Sequence, residues 1–403
     1  MNGRRSLNFQ AIALVIGSAM AQLLVAALYI LTARSMRPED YGPIVTAIGM
    51  GLAAAGFLDL GSTAYWIREL ASLRITHESL DSKVFTRLVI AAGIAIAVIV
   101  GSLIVAPKFA ATGVLILSTS IAQSAFVPIR AQMRSESVAW LMVVGRIVAV
   151  ALFGLQVYAG VGQGLALWTS LAIGDLASAA CAVAVTPPRD RLGIRICPLS
   201  NPWTGSKWYA VSVMSTSAAQ LDLPIIAVLS GPTAAGMYGG VSRWTQPVLV
   251  ATGAFAQATA PFIAAEAKIR QLKGELLRAS WILVAAVGLS IAIFLTAPWL
   301  VETLLGDEFA ESAPVLRLLA LAMLCNTVNQ PLTVALQSRR FDRIAAGLVL
   351  VTVATHLIVT SLLVHSMGAI GAGVGMLTAQ IVGLVGTVSC VAIILRRRRS
   401  FAP

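Results

Sequence analysis

The sequence predicts an all-α integral membrane protein of about 12 transmembrane helices, built as two six-helix lobes related by a parallel internal repeat. Three observations lead there. Of 403 residues, 58% are hydrophobic and only 11% charged, against roughly 25% charged in soluble domains. The apolar residues fall into twelve runs of about the 20 residues that cross a bilayer. The basic residues cluster between alternate runs. The net charge of +12 therefore reads as membrane topology, and no nucleic-acid partner is expected.

The apolar runs cover approximately 10–33, 42–66, 86–106, 110–129, 137–158 and 164–186, then 208–230, 235–264, 279–301, 312–336, 344–366 and 369–395. The shortest gaps, after 106 and after 366, are the weakest divisions. The first run follows Arg4 and Arg5 but is longer than the ~7–15 apolar residues of a signal peptide, and Arg34 ends it rather than a small-residue cleavage site. It reads as the first spanning helix. With the N-terminus inside, 23 of the 29 Lys and Arg residues fall on the cytoplasmic side. Arg34, Arg37 and Lys108 fall opposite, and Arg146, Arg243 and Arg317 lie inside helices. That asymmetry predicts a multi-pass protein of the cytoplasmic membrane with both termini in the cytoplasm.

Residues 187–207, with four prolines, Gly193, Gly205 and four basic residues, read as a cytoplasmic linker. It divides an N-terminal lobe, 1–186, from a C-terminal lobe, 208–403. The halves share ordered landmarks. Ala21-Gln22-Leu23 precedes Tyr41-Gly42, and Ala219-Gln220-Leu221 precedes Tyr238-Gly239. Phe109-Ala110 and Pro128 recur as Phe309-Ala310 and Pro331. Six helices per half make the repeat parallel, and transporters commonly place their cargo at such a repeat interface.

Charges inside apolar segments are the first candidates for function, because a charge at bilayer depth is costly and faces protein or a water-filled cavity. Arg146 and Asp175 stand at matching depths either side of a turn near Val161. Asp222 and Arg243 stand likewise either side of a turn near Thr233. Each pair either locks a hairpin or faces a cargo. Pro224, just after Asp222, permits a bend. Arg68 and Arg74 lie at the inner mouth. Asp59 and His356 are polar groups in apolar surroundings, able to titrate or to hold a cation, or simply hydrogen-bonded structure. Gln22, Gln220, Gln246, Gln257, Asn326, Asn329 and Gln330 either meet a polar cargo or join helices to each other. The four cysteines form no CxxC pair and no His is spaced for zinc, so no metal or cofactor is expected.

Arg37-Pro38-Glu39-Asp40-Tyr41-Gly42, Asp59-Leu60-Gly61 and Arg68-Glu69-Leu70-Ala71 resemble the first hairpin of polysaccharide exporters, the Wzx-type lipid-linked oligosaccharide flippases of the multidrug/oligosaccharidyl-lipid/polysaccharide exporter superfamily. Gln220-Leu221-Asp222, Gly231-Pro232, Ala235-Gly236-Met237-Tyr238 and Pro261 are similar to that family's seventh and eighth helices. Gly306-Asp307-Glu308-Phe309 and Ala313-Pro314-Val315-Leu316-Arg317 are similar to its loop before the tenth. The resemblance implies a V-shaped transporter that flips an undecaprenyl-pyrophosphate-linked glycan by alternating access, with helices 1, 2, 7 and 8 lining the cavity. It makes Arg243, Arg68, Arg146, Asp222, Gln22, Gln220 and Gln246 the candidate cargo contacts, with no catalytic residue.

The partners implied are the lipid-linked oligosaccharide, membrane lipid, a glycan polymerase and other polysaccharide-assembly proteins. The pathway stays open among capsule, O-antigen lipopolysaccharide, teichoic-type polymer and exopolysaccharide. A drug or organic cation antiporter of the same superfamily is the alternative, but three buried arginines favour an anionic cargo. A membrane glycan polymerase is a further alternative. Very short outer loops and the absence of GxSxG, HExxH and P-loop patterns speak against an enzyme.

Overall fold

The computed structural model describes residues 7–193, 198–249, 252–253, 269–338 and 341–400. Among these the secondary structure is helical throughout, without strands. Helix α1 spans Leu7–Arg34. Helix α2, Pro38–Asp59, starts on Pro38 with Glu39 and Asp40 in its first turn, where the missing N–H costs nothing and acidic groups face the positive helix end. The expected run 42–66 is broken. Leu60 (φ 42°) and Gly61 (φ 71°) take left-handed backbone, and the short helix α3, Ser62–Ala71, follows. Asp59 causes the break to persist, because its carboxylate accepts the backbone N–H of Thr63 at 3.0 Å and so caps α3.

Helix α4, His77–Val105, begins nine residues before the expected 86, capped by Thr76, whose hydroxyl accepts Ser79 N–H at 3.2 Å. Helices α5, Ala110–Ala125, and α6, Val127–Ala131, are separated at Phe126, two residues before Pro128, which would deny a donor to a continuous helix. Helices α7, Ser135–Tyr158, and α8, Gln163–Val185, form a hairpin through Gly160. In the second half α9 spans Lys207–Ala218. A 3-10 turn over Ala219–Leu221 then leads into α10, Asp222–Ser242. The turn includes Gln220, whose carbonyl Pro224 would crowd in a regular helix, so the regular helix is interrupted there. Gly231 (φ 88°, ψ 174°) splits α10 into the two limbs of a hairpin. Helices α11, Ile269–Leu305, α12, Ala313–Ser338, and α13, Asp342–Ser400, complete the described chain. Gly368 (φ 56°) breaks α13 into a second hairpin.

Nine described stretches are long and apolar enough to cross a membrane. Two of them, Tyr209–Leu249 and Arg343–Ile394, are the hairpins broken at Gly231 and Gly368. With α12 this makes the twelve helices in two lobes. Much of the expected 235–264 run lies outside the described residues. Large apolar side chains stand bare on the outside, Val105 at 86% and Val228 at 82% exposure, which lipid covers and water would not.

The lobes meet along α2, which packs on α9 near the linker and on α10 at the opposite, far end. Lipid gives helices no hydrophobic drive to associate, so close contact between small residues does the work. A β-carbon at Gly42 would collide with the Pro232 carbonyl, and one at Gly236 with the Pro38 carbonyl. Tyr41 meets Phe309 edge-to-face, centroids 6.0 Å apart. The far end is thus shut. Gly42→Leu is expected to wedge it open. Labelling of a cysteine at position 238 by an impermeant thiol reagent should rise several-fold, since close-packed helices cannot absorb the added volume; unchanged labelling would count against this contact as the seal.

The linker is bound to the first lobe rather than free. Trp203 Nε1 donates to Leu58 O at 2.9 Å, a carbonyl released by the α2 break, and Ser82 Oγ donates to Ser200 Oγ at 3.0 Å.

Candidate functional site

In the α7–α8 hairpin, Gly145 and Gly174 bring the two backbones together. A β-carbon on either would strike the other's carbonyl. The residues that follow them are Arg146 and Asp175, and this contact sets their spacing. Arg146 Nη2 lies 2.9 Å from Asp175 Oδ1, so the pairing expected from depth is formed. Asp175 Oδ2 accepts the Thr119 hydroxyl of α5 at 3.1 Å. The Arg146 and Asp175 side chains remain 19% and 12% exposed, so the pair is not sealed.

Tyr29 of α1 lies within the electrostatic reach of Arg146, Asp175 and Arg243. Arg243 opens a 3-10 turn, Arg243–Thr245, at the end of α10. Its guanidinium lies over the Tyr29 ring, 5.4 Å from the centroid, a cation–π geometry. Among the described residues no carboxylate lies within ion-pair distance of Arg243, and its buried Nε has no hydrogen-bond partner. Arg243 from the second lobe thus stacks on a phenol that also lies within the electrostatic reach of Arg146 from the first, where α1 meets the second lobe. Two guanidinium forks at that depth are suited to the oxygens of a phosphate group.

The expected ion pair between Asp222 and Arg243 does not form. Asp222 Oδ2 instead accepts the Tyr238 hydroxyl at 3.0 Å, and its Oδ1 accepts Leu223 N–H at 2.7 Å. The reason is the turn. The hairpin reverses at Gly231, two residues before Thr233, and in an antiparallel pair that shift moves the partner by about one helical turn, from Arg243 to near Tyr238. His356 of α13 is buried within electrostatic reach of Asp222.

Arg68 does not join this cluster. It sits on α3 at the linker end, where Nη1 donates to the Tyr209 hydroxyl of α9 at 3.0 Å and Nε lies 3.8 Å from Glu69. The bond to Tyr209 raises its pKa above the ordinary arginine value. It ties the two lobes near the linker. Gln22, Gln220 and Gln246 are half-buried, Gln22 on α1 with Tyr29 and Gln246 three residues after Arg243. In the second lobe Asn326 Nδ2 donates to Gln380 Oε1 at 3.2 Å beside a small crevice that also touches Thr245 and Met376. Gln257 lies outside the described residues.

Arg87, one of the 23 basic residues counted on the cytoplasmic side, is enclosed by the first lobe. Arg87 is 1% exposed and pairs with Asp59. Its Nη atoms also reach Ser62 Oγ at 2.9 Å, Thr63 Oγ1 at 2.8 Å and Ser124 Oγ at 2.7 Å, and Trp66 lies under its guanidinium at 4.5 Å. The signal that reveals this lock is Asp59-Leu60-Gly61-Ser62-Thr63, an acid followed by a turn and two hydroxyls.

Residues 30–314 match a family described as polysaccharide biosynthesis protein. No curated protein matches the chain. Among solved structures, the lipid II flippase MurJ in an inward closed conformation superposes with a TM-score of 0.70 at 11% identity, covering 94% of this chain and 87% of that one. An inward-facing multidrug resistance MATE transporter of the MOP superfamily gives 0.68 at 16% identity, with 96% and 99% covered. A MOP superfamily transporter from Pyrococcus furiosus, described as having a binding pocket of reverse polarity, gives 0.58 at 14%, with 97% and 99% covered. These likenesses show the fold that the two lobes adopt.

Proposed function

As the chain belongs to the polysaccharide biosynthesis protein family, we propose that it is a flippase: it carries an oligosaccharide linked to undecaprenyl pyrophosphate across the cytoplasmic membrane by alternating access. The observation that supports this most is Arg243, a guanidinium at the junction of the lobes with no carboxylate at ion-pair distance among the described residues, stacked on Tyr29, which also lies within the electrostatic reach of Arg146. A cation held at membrane depth lowers the barrier for an anion that would otherwise meet hydrocarbon. The glycan would ride in the space between the lobes, where Gln22 and Gln246 offer amides. The basic residues that mark the linker side support a cytoplasmic location for that side and for both termini.

Export of an organic cation fits less well. A cation needs an available carboxylate, and all three candidates are engaged, Asp59 by Arg87, Asp175 by Arg146 and Thr119, and Asp222 by Tyr238. In cells lacking this protein, lipid-linked glycan is expected to accumulate on the cytoplasmic face while surface polysaccharide falls by about tenfold or more. Normal surface polysaccharide, with altered tolerance to organic cations instead, would favour the antiporter.

A further inference from the structure

We propose that Asp175 is an internal counter-anion: it occupies Arg146 in the empty transporter and yields that guanidinium to the diphosphate of the cargo. The inference rests on the flippase reading above and assigns a regulatory role within the same site.

The first lobe holds two ion pairs built in opposite ways. Arg87 and Asp59 are sealed, their side chains 1% and 8% exposed, and three hydroxyls around them complete a closed network. Arg146 and Asp175 are open, 19% and 12% exposed, and only one hydroxyl supports them. That hydroxyl, Thr119, binds Oδ2, the oxygen other than the one lying 2.9 Å from Arg146. Asp175 therefore keeps an anchor when Arg146 leaves it. The helices themselves need not move, because Gly145 and Gly174 hold the two backbones in contact one residue before each partner. The part free to swing is the long Arg146 side chain, within the electrostatic reach of Tyr29, on whose ring Arg243 stacks.

The arrangement answers a physical requirement of any carrier that must also return empty. A bare guanidinium inside the membrane is costly, so an empty site with two uncompensated arginines would resist the return step. An intramolecular carboxylate compensates one of them. It also competes with the cargo, weakening binding and speeding release, since a site that holds its cargo too firmly turns over slowly.

The test uses the full-length protein in detergent, with farnesyl diphosphate as probe and inorganic pyrophosphate as the lipid-free control, followed by flipping in liposomes. Asp175→Asn keeps the shape and removes the charge. It should bind farnesyl diphosphate about tenfold more tightly than wild type and flip a diphosphate-linked glycan more slowly. In an Arg146→Gln background the same change should bring no gain. Thr119→Val supplies a variant of opposite sign: with its anchor gone, Asp175 turns both oxygens to Arg146 and binding weakens about threefold. If Asp175→Asn and Thr119→Val leave affinity unchanged while Arg243→Gln abolishes it, the counter-anion role is overturned and the flippase reading stands. If wild type shows no binding that depends on Arg243, both fall together.

Discussion

Arg87→Met is expected to destabilise the first lobe by about 3–5 kcal/mol, the cost of stranding the other charge of a buried pair. Asp59 would be left 6% exposed with only the hydroxyls and the backbone N–H of α3 for company. The effect should spread, because Asp59 caps α3, and α3 carries Trp66 and the interlobe contact of Arg68 with Tyr209. The double change Asp59→Asn with Arg87→Met removes both charges and should recover more than half of the loss. Thermal unfolding in detergent measures both. A single variant that melts with wild type would show that the network is not the lock described here.

Arg243→Gln is expected to lower flipping at least tenfold, on the order of 1.4 kcal/mol or more in the transport barrier, while the protein still folds and inserts. Folding is spared because Asp222 does not depend on Arg243; Tyr238 holds it. For the same reason Asp222→Asn and Arg243→Gln should have additive effects on stability, as side chains without a shared contact do. Arg243→Lys should retain part of the transport, keeping the charge but losing the planar fork and its stacking on Tyr29. Loss of stability in Arg243→Gln equal to its loss of transport would make the residue structural.

What the residues revealed in advance follows from how each signal works. Apolar length and the Lys and Arg asymmetry are properties of whole segments, so twelve helices were legible. The Arg146–Asp175 pair was legible because Gly160 makes the turn between α7 and α8, next to the Val161 assumed for it. The partner of Asp222 was not, since placing the turn at Thr233 instead of Gly231 moved it by about a helical turn. The burial of Arg87 was not legible, because the apolar run hides that α4 starts at His77; its charge lies inside the protein, one turn after the polar residues that begin the helix. The contacts of Gly145 with Gly174 are written in the dipeptides Gly145-Arg146 and Gly174-Asp175, yet a glycine's closeness to another helix is a three-dimensional fact. Arg68 was placed at the right end but with the wrong neighbours, because the α2 break turns α3 toward Tyr209.

The central claim is that the two arginines at the lobe junction carry an anionic lipid-linked glycan. Purified protein in liposomes can be given a fluorescent short-chain glycolipid with a diphosphate bridge and, separately, the same glycan on a neutral lipid. Wild type is expected to move the diphosphate form and not the neutral one, and Arg243→Gln to lose that movement. Equal movement of both lipids by wild type, or undiminished movement of the diphosphate form by Arg243→Gln, would contradict the account.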